Sequence, residues 1–160
     1  MFRSREGGAN GRLSPSQVHR VVKAAERHGQ YLCVTLLNGL KDCTSRQATY
    51  QTPVAADIAA HVRAVVTRHA GNPTVAMFEP ANAANEGSGN PNIGPWYQAM
   101  AALIKSHDPA VLVGTGGGNN SSDPARIAAF SAGKDIDLIS YHDYYAPAGN
   151  PGPRTGVFNE

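Results

Sequence analysis

The feature that most constrains the fold is an alternation, repeated four times, between segments of helical apolar period and short, continuous apolar runs. Val18, Val21, Val22 and Ala25 recur at helical spacing behind Ser14-Pro15-Ser16-Gln17, which offers a cap, a first-turn proline and a Gln placed to close a capping box. Gly29 stops that helix, and Tyr31 to Leu37 (YLCVTLL) reads as a strand buried on both faces. A polar loop, Asn38 to Thr52, follows. A second helix from Pro53 carries Ile58, Val62, Val65 and Val66 and is closed by Gly71-Asn72-Pro73. Thr74 to Phe78 is the second strand.

Beyond a loop from Pro80 to Gly94, a third helix presents Trp96, Met100, Leu103 and Ile104 and ends at Asp108-Pro109. Val111 to Val113 is a short third strand, Asp123-Pro124 caps a helix with Ile127 and Phe130, and Ile136 to Tyr141 is the fourth strand. Strands separated by helices must run parallel and be joined by right-handed crossovers, so every strand C-terminus opens onto one face, where function is to be sought. Period alone does not separate an open doubly wound sheet from part of a (β/α)8 barrel. A whole barrel takes about 250 residues, so four units amount to about half of one.

Composition narrows the partners. The 160 residues suffice for one core, and the formal charge of +2 is scattered with no Lys/Arg run to track phosphates, which argues against nucleic acid. No apolar run approaches the ~20 residues of a membrane helix, and the opening MFRSREGGANGR lacks the apolar stretch of a signal peptide. Localisation stays open. Cys33 and Cys43 are read as free thiols or, alternatively, as a disulfide that would imply export. The histidines do not cluster for a metal, and no cofactor is called for.

Polar residues follow each apolar run: Asn38; Glu79, Asn82, Asn85 and Glu86; Gly114 to Asn120; His142, Asp143 and Tyr144. The run Asn72-Pro73-Thr74-Val75-Ala76-Met77-Phe78-Glu79, followed by an Asn-Glu, resembles the fourth strand of clan A glycoside hydrolases, especially the family 5 cellulases and mannanases. Asp137-Leu138-Ile139-Ser140-Tyr141-His142-Asp143-Tyr144 is similar to their sixth strand. Trp96 to Met100, Ile104 to Pro109 and Leu112 to Gly116 are like the connecting segments, so the resemblance spans about residues 14 to 145. It implies an α/β fold, a partial TIM barrel of about four βα units corresponding to the third to sixth strands. The whole chain, 1–160, is then one incomplete catalytic domain, with 1–13 a polar loop and 146–160 a loop and truncated end.

The resemblance also implies retaining hydrolysis of a β-1,4-linked polysaccharide. Such chemistry needs two carboxyl groups about 5 to 5.5 Å apart, one protonating the leaving oxygen and one attacking the anomeric carbon. In the family the acid/base follows an asparagine at the end of the fourth strand. Counting from Pro73, that pair falls on Asn82-Ala83, and alanine carries no proton. Either the catalytic group is lost at Ala83, or the pair is Asn85-Glu86, three residues on, with Glu86 the acid/base candidate. The resemblance implies substrate contacts from Asn82, Asn85, His142 and Tyr144, with Asn38 where a histidine is common in the family. Glu79 reads as structural, and the seventh-strand nucleophile is assigned to none of the 160 residues. The chain alone is expected to lack turnover and to self-associate through open sheet edges. A catalytically silent sugar-binding fragment is the alternative. A nucleotide- or phosphate-binding module using Gly114 to Gly118 is a further rival, without the P-loop lysine.

Overall fold

A computed structural model of the chain describes residues 12–38, 52–82, 93–116 and 133–140. Their elements run α1 (Pro15–Arg27), β1 (Leu32–Asn38), α2 (Ala56–His69), β2 (Val75–Asn82), α3 (Ile93–His107) and β3 (Leu112–Val113). All strand pairs are parallel, and the sheet order β1-β2-β3 is the chain order. Each crossover therefore steps to the next strand in the same direction. With right-handed crossovers this keeps α2 and α3 on one face. A doubly wound sheet reverses order at a switch point; these described strands show no reversal, as the wall of a (β/α)8 barrel requires.

The capping box expected at α1 is present: the Gln17 backbone N–H donates to Ser14 Oγ (3.3 Å) and the Ser14 N–H to Gln17 Oε1 (2.7 Å). The helix thereby satisfies two donors that its first turn leaves unpaired. α2 has no side-chain cap, but Asp57 in its first turn lies at the positive end of the helix dipole and pairs with Arg12 at 3.1 Å. The helices bury Val18 and Val22, Ile58, Val62, Val65 and Val66, and Trp96, Met100 and Ile104 against Phe78 and Val113 of the sheet. α2 packs between α1 and α3. At the edge of this layer His19 and His69 stack, with ring centroids 5.4 Å apart.

Four sequence expectations change. β1 begins at Leu32 and runs on through Asn38, so Asn38 belongs to a strand and not to a loop; its partner across the ladder is Asn82. β1 is not buried on both faces, because Cys33 and Thr35 are exposed on the side away from the helices. β2 continues past Phe78 through Glu79, Pro80, Ala81 and Asn82. Phe78 O accepts from Gly114 N (2.9 Å), so the alternation of a parallel ladder turns the polar groups of residue 80 toward β3 as well. Proline has no N–H to give there, and the β2–β3 ladder ends at Val113 while pairing with β1 carries on to Asn38 and Asn82. The fourth strand appears among the described residues as a single parallel bridge, Gly114 with Leu138. The helix expected after Asp123, the Asn38–Thr52 loop beyond its first residue and before its last, and Cys43 lie outside the described residues. Cys33 is a free thiol. Among the described residues no helix is long and apolar enough to cross a membrane.

Candidate active site

Three rows of side chains cross the sheet face turned away from the helices. Register places Cys33, Met77 and Leu112 in one row, Thr35 with Glu79 in the next and Leu37 with Ala81 above them; Gly114, two residues beyond Leu112, shares their face. The rows climb toward the strand C-termini, where Asn38 and Asn82 are the last residues of β1 and β2. Parallel pairing sets these two backbone positions side by side, which makes them neighbours at the mouth of a barrel wall. Asn82 is half-buried.

Glu79 is the hub of this face. Its side chain is 9% exposed, and both carboxylate oxygens are occupied: Thr35 Oγ1 donates to Oε2 (3.0 Å) and Ser140 Oγ to Oε1 (2.8 Å). The carboxylate thus joins β1, through β2, to the segment bridged onto the far side of β3. Ser140 is held a second time, since its backbone N–H donates to Thr115 Oγ1 (3.0 Å). The Cys33 thiol also faces Glu79. Although Cys33 is exposed as a residue, partial desolvation of its thiol, the nearby carboxylate charge and a hydrogen bond to it push the Cys33 pKa up to about 12, so the group is a neutral donor at physiological pH.

Two glycines lie against this packing. A Cβ at Gly114 would stand 3.4 Å from Glu79 Cγ, Met77 Sδ and Ser140 Oγ, close to the limit of ordinary contact. At Gly116 the backbone has φ of 76°, and a Cβ would collide with the Ala81 carbonyl. The ends of β2 and β3 are therefore in backbone contact just below Asn82. Tyr97 of α3 donates to the same Ala81 carbonyl oxygen from the helix side at 3.4 Å.

On the other side of the wall Asp137 accepts from the Val113 N–H and pairs with Lys105, both at 2.8 Å. Its pKa is lowered: burial acts against the shift, and the Lys105 ammonium and the Val113 N–H outweigh it. This pair anchors the bridged segment to α3.

A cellulase profile, glycosyl hydrolase family 5, matches residues 4–153. The chain belongs to glycosyl hydrolase family 5. Over 109 residues it is 30% identical to the "Probable mannan endo-1,4-beta-mannosidase F" of Neosartorya fischeri, a match covering 60% of this chain and 24% of that protein. Its fold is similar to the crystal structure of the catalytic domain of Thermobifida fusca endoglucanase Cel5A (E5), with TM-score 0.62 and 21% identity over 80% of this chain and 41% of that one. This family 5 chain therefore spans a quarter to two-fifths of the length of these relatives.

Of the residues singled out from sequence, Asn38 and Asn82 are brought together at adjacent strand ends. Ala83, Asn85, Glu86, His142 and Tyr144 lie outside the described residues. The reading of Glu79 as structural agrees with its bonding. Gly114 and Gly116 were read only as part of a rival phosphate loop, and Thr35 and Ser140 were given no role; the signal available for those two was a polar residue at an inward position of each otherwise apolar run.

Proposed function

We propose that this family 5 chain carries the acid/base side of a site for retaining cleavage of a β-1,4-linked glucan or mannan. The pairing of Asn38 with Asn82 supports this reading, because it joins two of the candidate sugar contacts at one strand-end rim. Asn82 would hold the sugar 2-hydroxyl, His142 and Tyr144 would line the adjoining sugar, and Asn85 and Asn38 would add polar contacts. Glu86 is the candidate proton donor. Its role is tested by adding the chain to a β-1,4-mannan or β-1,4-glucan, alone and within a longer parent sequence. Isolated, the chain binds oligosaccharide and releases no reducing sugar, since hydrolysis needs a second carboxylate that is assigned to none of its residues. Release by the chain alone would overturn that. In a longer active context Glu86→Gln abolishes turnover if Glu86 is the acid/base.

A second reading follows from Ala83, which occupies the family's acid/base position. Alanine donates no proton, so a protein that relies on position 83 binds sugar without cleaving it. Ala83→Glu in the longer context separates the two readings: a gain of activity favours a lost group at 83, and no gain favours Glu86. β1 is paired on one side only among the described residues, and Leu112 and Leu138 are 43% and 44% exposed. Both features favour self-association of the isolated chain, which sedimentation velocity would detect.

A further inference from the structure

Glu79 is costly to place where it is. A carboxylate in a barrel wall must be taken out of water, a desolvation cost that a Leu or Met of similar volume would not bear. What an apolar residue cannot do is hold two hydroxyls, from strands on either side, at a fixed separation. Glu79 binds Thr35, 44 positions earlier in the chain, and Ser140, 61 positions later. It reaches the second beside Gly114, where an added Cβ would stand 3.4 Å from both Glu79 Cγ and Ser140 Oγ. The Thr115 hydroxyl then fixes the Ser140 backbone, and the Thr115 N–H donates to Leu138 O at 3.1 Å. Asn82 lies three residues beyond Glu79 on the same strand, and His142 two residues beyond Ser140 in sequence.

We propose that Glu79 is a positioning residue, whose bridge from Thr35 across Gly114 to Ser140 sets the separation between the strand ends that carry the sugar contacts. The inference rests on the sugar-site reading above for its functional consequence. Its structural part is read independently of any sugar.

Three variants test it. Glu79→Leu keeps the volume and removes both bonds. Glu79→Gln keeps both, since its carbonyl accepts from one hydroxyl and its amide donates to the other. Ser140→Ala removes one bond with little change of packing, and serves if the leucine variant does not fold. Amide exchange of Thr115 and Ser140 is measured first, on the ligand-free chain. Exchange accelerates in Glu79→Leu and Ser140→Ala and stays near wild type in Glu79→Gln. Wild-type protection in both disruptive variants overturns the proposal, as does equal loss in the glutamine variant. Affinity for β-1,4-linked mannohexaose and cellohexaose is measured next. Glu79→Leu weakens binding by about 2- to 30-fold, the span typical of mutations in a coupling network, and Glu79→Gln restores it. Unchanged affinity in a folded Glu79→Leu chain overturns the positioning role. A wild-type chain that binds neither sugar overturns the functional reading instead, and leaves the exchange result to decide on the bridge.

Discussion

Replacing Gly116 with alanine tests whether the ends of β2 and β3 press together under the proposed rim. The new methyl would overlap the Ala81 carbonyl oxygen and lie 2.8 Å from its carbon, where two carbons need about 3.5–4.0 Å, so the two segments must part by more than about 1 Å. The obstacle is backbone and cannot rotate aside. The residue must also hold φ of 76°, which costs an alanine about 1–2 kcal/mol. Overpacking adds about 1–3 kcal/mol, giving about 2–5 kcal/mol in all. For a domain of this size that lowers the melting temperature by about 4–20 °C. Gly29 and Gly71 are internal controls, with φ of 61° and 69° and nothing within 4 Å of an added Cβ. Their alanine variants bear the conformational cost alone, about 2–8 °C. Thermal unfolding followed by circular dichroism compares all three. If Gly116→Ala melts no lower than Gly29→Ala and Gly71→Ala, the backbone contact is not there and the argument fails.

Phe78→Ala removes a fully buried ring from the centre of β2 and destabilises the chain by about 3–5 kcal/mol in denaturant unfolding, whereas a loss under about 1 kcal/mol would deny Phe78 its place in the core. Ser14→Ala breaks the capping box and costs about 1 kcal/mol, with faster amide exchange confined to the first turn of α1. Stability falls on acidification between pH 7.5 and 5, because burial, followed by the neighbouring His19 and Arg68, lowers the His69 pKa, with Glu26 opposing. The unfolded chain then binds more protons below the ordinary imidazole value of about 6.5, so the loss begins there and reaches no more than about 2 kcal/mol for this group at pH 5. His69→Phe flattens the slope in that window, and an unchanged slope would assign the effect elsewhere; the lowered carboxylates Glu26, Asp57 and Asp137 act at more acid pH.

What was legible in the sequence was local or periodic. Ser14 and Gln17 lie three residues apart and satisfy each other, so the start of α1 could be read without its surroundings. Trp96, Met100 and Ile104 fall on one helical face whatever they pack against. The end of β2 was misread because Pro80 is a breaker by local rules, and only the register reveals that one edge loses its ladder while the other keeps it. The two-sided burial of β1 failed for a related reason. Leu, Val and Cys look alike as an apolar run, and what covers each face is decided by neighbours far away in sequence. Thr35 and Ser140 escaped notice because each is an ordinary hydroxyl until the fold brings it to Glu79.

The glycine run after β3 shows how geometry decides between rival chemistries that composition leaves level. A phosphate cradle needs successive backbone N–H groups free to converge on an anion at a helix start. Here the first glycines have other work. The Gly114 N–H is spent on Phe78 O in the ladder. Gly116 is required by the Ala81 carbonyl that crowds its Cα. The two positions differ in kind: an added Cβ at 114 would meet its neighbours at 3.4 Å, whereas at 116 both the positive φ and the Ala81 carbonyl require glycine. At Gly116 the pattern that suggested a nucleotide loop is thus a packing requirement of the barrel wall, and the proposed carbohydrate site at the rim above it needs no anion cradle at all.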